Sequence, residues 1–158
     1  MIADMVIDTN VFVHADNPME ARCAASRSLL QRILSVGTIL RVDEGYDSNE
    51  ARNRSHIGSE YQHNLRFGSM GLAVLVQLAG QGRIRTLPRK VPDAATAKKI
   101  RQLLRNTTDR VFLSVAYGSH EKILVSHDYV DFQEAKRPTI REVLGVAVIE
   151  ACACEPRL

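Results

Sequence analysis

The stretch Val6-Ile-Asp-Thr-Asn-Val-Phe-Val13 holds a carboxylate, a hydroxyl and a carboxamide in the middle of an apolar run. A charge buried in a strand is costly unless it is paired or binds a cation. Two more acids, Asp128 and Asp131, follow the apolar run Ile123-Leu-Val-Ser126, and Asp43 ends a third run, Thr38–Val42. Carboxylates that gather from several strand ends repel one another. A hard divalent cation such as Mg2+ or Mn2+ neutralises them, because it prefers oxygen ligands. Such an ion polarises a phosphoryl oxygen or activates a water, alone or as one of a pair. Histidine and cysteine are missing at zinc-ligand spacing. The three cysteines, Cys23, Cys152 and Cys154, have no regular spacing. They argue against a disulfide framework and fit a reducing cytoplasm.

The rest of the chain must supply elements that position these acids. Met5–Val13 reads as a buried, β-branched strand. Asn17-Pro18 starts a helix over Met19–Val36, with Ala25, Leu29 and Ile33 on one face, and Gly37 stops it. Thr38–Val42 is a second strand. Ile57, Tyr61 and Leu65 recur at steps of four in the polar segment Tyr46–Arg66, which predicts a helix in its second half. Ser69–Gln81 is an apolar helix and Ile84–Leu87 a short edge strand. Asp93 caps a helix through Leu104, and Thr107 or Thr108 caps Asp109–Tyr117. Ile123–Ser126 is a strand, Arg141–Gly145 a turn of helix, and Val146–Ile149 a last strand.

Alternating strands and helices predict an α/β fold of three α/β/α layers around a mainly parallel sheet. The 158 residues suit one domain, residues 1–150, followed by a short tail, 151–158. No apolar run approaches a membrane span, and the N-terminus carries Asp4 and Asp8 rather than a basic leader. Ligands of parallel sheets bind beyond the carboxyl ends of the strands, where Asp8, Asp43 and Asp128 fall.

Net charge is +3 but uneven: residues 1–51 carry −4, residues 52–105 carry +9 and residues 106–158 carry −2. The basic middle holds Arg83, Arg85, Arg89, Lys90, Lys98, Lys99, Arg101 and Arg105. By itself such a cluster reads as a solvated helix face. Beside an acidic pocket it points to nucleic acid held through its phosphates. Only eight aromatic residues are present, with no Trp, so base stacking is a minor theme, left to Tyr46, Tyr61 or Tyr129.

The chain resembles the PIN domains, metal-dependent nucleases of α/β/α type. The resemblance rests on Val6-Ile-Asp-Thr-Asn-Val, on Val42-Asp-Glu-Gly with Ile57-Gly-Ser-Glu-Tyr61, on Asp109-Arg-Val-Phe-Leu-Ser-Val-Ala116, and on Ile123-Leu-Val-Ser-His-Asp-Tyr-Val-Asp-Phe132. It implies an acidic quartet of Asp8, Glu60, Asp109 and Asp128 around Mg2+ or Mn2+, with Asp131 as a further carboxylate. Thr9, Asn10 or Ser126 would orient a carboxylate or a water. Glu60 is preferred over Asp43, Glu44, Asp47 and Glu50 because it flanks the Ile57–Tyr61–Leu65 face; Asp43 is its best substitute. His127 is read as incidental. The resemblance further implies cleavage of single-stranded or structured RNA. Its context would be a cytoplasmic toxin, held by a small antitoxin and forming a homodimer.

Two other readings stand beside it. A binding module could keep this fold without turnover. A phosphotransferase could use Asp8 as nucleophile, but that chemistry wants an acid two residues on, where Asn10 stands.

Overall fold

The computed structural model describes all residues, 1–158. Five short apolar runs form strands: β1 (Asp4–Ile7), β2 (Ile39–Asp43), β3 (Ile84–Leu87), β4 (Ile123–Val125) and β5 (Ala147–Ile149). They make one all-parallel sheet in the order β3-β2-β1-β4-β5. Parallel strands need crossovers, supplied by all but the last of eight helices. These are α1 (Thr9–Ala15), α2 (Cys23–Ser35), α3 (His56–Asn64), α4 (Met70–Gly80), α5 (Ala94–Leu103), α6 (Thr107–Gly118), α7 (Lys136–Leu144) and α8 (Ala151–Cys154). Helices α1, α2 and α4 pack on one another, and α8 packs on α2. Helix α6 lies against β1, β2 and β4, with α5 beside it and α7 against β5. The architecture is the three-layer α/β/α fold expected from the alternation.

The chain leaves β1 toward β2 and β3, then crosses back to β4 and β5. The order therefore reverses between β1 and β4, and a reversal of this kind opens a crevice at the carboxyl ends of the two strands. The register is fixed there by Val6 opposite Leu124 and Ile7 opposite Val125. Two further backbone bonds carry the ladder past the strands. The amide of Asp8 donates to Val125 O at 2.8 Å, and that of Ser126 to Ile149 O at 2.9 Å.

Three local expectations are corrected. Met5–Val13 is not one strand: β1 stops at Ile7 and α1 begins at Thr9. Val11, Phe12 and Ala15 are buried at helical spacing, and their packing outweighs the β propensity of Val11 and Val13. Arg141–Gly145 is the last turn of a longer helix, α7, closed by Gly145 at φ 71°. Residues 151–158 are no loose tail, since Ala151, Cys154 and Leu158 are buried in the core.

Tyr61 links α3 to the strand that carries Asp8. Its ring packs edge-on against Phe12 and Phe112, and its hydroxyl donates to Ile7 O at 2.5 Å. It is fully buried and stacks on no base. Replacing it by phenylalanine removes the donor to the Ile7 carbonyl. Tyr61→Phe is expected to cost about 1–3 kcal/mol, seen as a lower urea midpoint at an unchanged m-value.

Candidate metal centre

Asp8 is the first residue past β1 and the N-cap of α1, yet its side chain caps nothing. Instead Oδ2 accepts from Ser126 Oγ at 2.7 Å and from Asn10 Nδ2 at 2.9 Å. The register causes this, because it sets Asp8 beside Ser126 on the neighbouring strand. The same Ser126 Oγ accepts from the amide of Asp128 at 3.0 Å, and Asn10 Oδ1 accepts from the amide of His127 at 3.0 Å. Ser126 and Asn10 thus tie the end of β1 to the loop after β4.

That loop turns tightly. Asp128 Oδ1 accepts from the amides of Val130 at 2.7 Å and Asp131 at 3.4 Å, which brings Asp131 back beside Asp128. Asp109 arrives from the first turn of α6, whose N-cap is Asn106 rather than Thr107 or Thr108. Carboxylate oxygens of Asp109, Asp128 and Asp131 all lie within 4.8 Å of one another.

The electrostatics reflect this crowding. Burial, followed by the charge of Asp128, pushes the Asp8 carboxyl up to about 6 against the pull of Ser126 and Asn10. Asp109 is pushed up to about 8 by burial, then by a hydrogen bond shared with Asp131 and by the charges of Asp8, Asp131 and Asp128. No lysine or arginine forms an ion pair with any of the four. The fold neutralises its other buried aspartates. Asp4 pairs with Arg41 at 2.7 Å, and Asp43 with Arg89 at 2.7 Å. Burial would raise both carboxyls too, but the amides of Glu121 and His120 with Arg41, and Ser55 with the amides of His56 and Ile57 and with Arg89, pull them below the usual range.

The donor set is all oxygen, which suits Mg2+ or Mn2+ and not zinc. The Thr9 hydroxyl, buried next to Asp8, has no partner. His127 offers no nitrogen: its Nδ1 faces His14 Nδ1 at 2.9 Å and its Nε2 accepts from the Ala151 amide at 3.2 Å. Burial, followed by the charge of His14, pushes it down to about 4, so it stays neutral.

Asp109, Asp128 and Asp131 are thus brought together. Asp8 lies outside that trio but near enough for its charge to act on Asp109 and that of Asp128 on it, with Thr9, Asn10 and Ser126 around it. Glu60 is not among them. It is half-buried on α3, and its carboxylate lies 3.4 Å from Asn64 Nδ2. Asp43, the proposed substitute, is corrected to a structural role. It is fully buried and holds the start of α3 by accepting from Ser55 Oγ at 2.5 Å and from the amides of His56 and Ile57 at 2.8 Å. Glu44, Asp47 and Glu50 engage Arg89, Arg52 and His63 in the same region.

The basic cluster divides. Arg83 donates to the carbonyls of Ile33, Leu34 and Thr38 and so closes α2, and Arg89 is held by Asp43 and the Arg54 carbonyl. Arg85 is exposed and donates to Gly82 O at 3.1 Å; Lys98, Lys99 and Arg105 are exposed. Lys90 and Arg101 line a groove with Arg89.

One residue missed in the sequence is Arg137. From α7 it donates to Phe132 O at 2.9 Å and to Ser126 O and Asp128 O at 3.3 Å, spanning the loop that bears two of the acids. Beside Pro138 it looks like any surface cation, and no local pattern marks it.

No family model, no curated protein and no solved structure matches the chain.

The two raised carboxyls make stability depend on pH and cation together. Protonated Asp8 and Asp109 contribute stability that is complete below the ordinary value of 3.8 and lost as pH rises through about 6 and about 8. A bound cation replaces those protons. Mn2+ is therefore expected to raise the melting temperature strongly at pH 8 and scarcely at pH 4, in a thermal scan against a metal-free control. An equal shift at both pH values would place the ion elsewhere. Two substitutions should move stability in opposite directions at pH 8 without metal. Asp8→Asn is expected to stabilise by about 1–3 kcal/mol by removing a repelled charge. Asp43→Asn is expected to destabilise by about 3 kcal/mol or more by breaking a buried ion pair.

Proposed function

We propose that this protein is a divalent-metal-dependent endoribonuclease of PIN type that hydrolyses phosphodiester bonds of RNA. The observation that carries this reading is the cluster of Asp109, Asp128 and Asp131 at the β1/β4 crevice, with the charge of Asp8 felt beside it and no cation partner for any of the four. A Mg2+ or Mn2+ ion held there supplies positive charge at the phosphate and lowers the pKa of an attacking water. The protein's own contribution is placement. Ser126 and Asn10 lock the rotamer of Asp8 through Oδ2 and leave its other oxygen free for the ion. The N-cap of α6 fixes Asp109, and the turn at Asp128 fixes Asp131. Held groups of this kind do not reorganise as charge develops in the transition state. The buried, unpartnered hydroxyl of Thr9 is a further polar group beside Asp8.

The PIN resemblance extends the proposal to a cytoplasmic toxin restrained by a small antitoxin and acting as a homodimer. No helix is long and apolar enough to cross a membrane.

A second reading, a binding module without turnover, draws on one observation: Glu60, the fourth acid implied by the resemblance, turns its carboxylate to Asn64 Nδ2 on its own helix rather than to Asp109, Asp128 and Asp131. Cleavage assays separate the two. Wild-type protein with Mn2+ is expected to cut a labelled single-stranded RNA, and EDTA to stop it. Asp8→Asn and Asp128→Asn are each expected to lower the rate at least about a hundredfold, the scale on which removing one preorganised electrostatic group acts. Undiminished cutting by Asp8→Asn would end the nuclease proposal. RNA binding indifferent to EDTA, with no cutting, would favour the module.

A further inference from the structure

The second feature that α6 presents is a groove of about 420 Å³ between its outer face, α5 and the start of α3. This is the size range of small-ligand sites, about 300–1,000 Å³. Its rim carries Arg89, Lys90, Arg101 and Arg110, and no carboxylate lines it. Its floor is apolar: Val91, Ala97, Ile100 and Val111. Arg89 is committed to Asp43, which lies at the end of β2, so its charge is largely spent. Lys90 and Arg101 are exposed and make no ion pair. Arg110 donates Nε to Leu104 O at 2.7 Å, which fixes its stem and leaves its terminal nitrogens for another acceptor.

The groove is continuous with the acidic cluster through α6. Thr107, Arg110 and Val111 face the groove, and Asp109 between them faces the cluster. The groove lies by the ends of β3 and β2 and the cluster by the ends of β1 and β4, about two strand spacings away, or roughly 10 Å. A chain with a phosphate at the cluster reaches the groove within a nucleotide or two.

We propose that this groove seats one unpaired nucleotide of the RNA substrate, with its base on the apolar floor and its phosphates against Lys90, Arg101 and Arg110. The seat rests on the nuclease reading for its substrate and narrows that substrate from structured RNA to RNA single-stranded beside the cut. An apolar floor rewards a base only when that base is not paired, and a duplex keeps its bases inside. No Phe, Tyr or Trp lines the groove and His56 is its one ring, so the base is held mainly by burial, with little sequence preference.

The test is binding of a short fluorescein-labelled oligoribonucleotide by anisotropy in EDTA, where neither metal nor cleavage enters. Lys90→Ala/Arg101→Ala is expected to weaken binding roughly tenfold and to flatten the slope of log K against log salt by about 1.4, at 0.7 per phosphate contact on a single strand. Ala97→Phe fills the floor without changing charge. It is expected to weaken binding of the oligoribonucleotide and to leave binding of an all-abasic ribose-phosphate chain unchanged. Melting curves of the variants check that the fold is retained. Unchanged affinity and slope in both variants would overturn the seat, and so would equal binding of a duplex or of polyglutamate. Groove-dependent binding in a wild-type protein that never cuts RNA would uphold the seat and sink the nuclease proposal alone. Cutting with groove-independent binding would do the reverse.

Discussion

Four carboxylates at the mouth of one crevice repel one another, and the fold around them holds them together rather than apart. The sheet order makes this unavoidable. Because the chain turns back between β1 and β4, the residues just past those strands face each other across the crevice. Asp8 and Asp128 fall there by register, Asp131 by the turn that Asp128 caps, and Asp109 because α6 crosses behind both strands. The resulting cost appears in the raised carboxyls of Asp8 and Asp109. Strain of this kind persists only where the surrounding structure over-determines it, and it clusters at functional sites.

The contrast with Asp4 and Asp43 makes the cost informative. All three of Asp4, Asp8 and Asp43 are nearly or fully buried, two within strands and Asp8 just past one. Two are matched by an arginine and by backbone amides, which is the ordinary remedy for a buried charge. Asp8 receives only neutral donors, a hydroxyl and a carboxamide. The same short sheet therefore neutralises aspartates with its own cations where structure requires them and withholds cations at the crevice. At neutral pH these oxygens are satisfied by a retained proton, as on Asp109 with its carboxyl raised to about 8, or by an exogenous cation.

The layer order and the existence of the strands were legible in the sequence because strand–helix alternation and β-branched runs report burial directly, although the first strand was read on through Val13. Asp8 and Asp128 were legible as acids within or just after apolar runs, whereas Asp109 joined them only through the resemblance to PIN domains. The helix immediately after Asp8 was not legible. Val11 and Val13 carry β propensity, and only the packing of Phe12 and Ala15 against neighbouring helices makes Thr9–Ala15 a helix. The role of Asp43 was hidden likewise, since a carboxylate at a strand end looks the same whether it faces a cation site or the amides of α3. Its distinguishing partner, Arg89, lies 46 positions away. The basic cluster misled in the same direction. Arg83 and Arg89 read as surface cations, yet their guanidiniums are consumed by carbonyls and a carboxylate of the sheet edge, and no local pattern separates them from Lys90 and Arg101.

Arg137 shows what such long-range partners do for the crevice. Loops bearing acids tend to spread, because each acid gains by moving away from the next. Here one guanidinium bonds three carbonyls, those of Ser126, Asp128 and Phe132, which span the whole turn. Its planar fork suits several acceptors at once where a lysine could serve only as a point charge. The guanidinium also stacks 4.6 Å from the Tyr129 ring, with Arg22 at 5.0 Å from the same centroid. Tyr129 in turn donates its hydroxyl to Glu150, which ends the neighbouring strand β5. The positive charge of Arg137 is therefore turned toward the loop backbone, where it holds the turn that bears the acids and forms no ion pair with them. That division leaves the carboxylate oxygens available to a divalent ion, and it accounts for a crowded anionic site persisting in a fold that elsewhere pairs its charges.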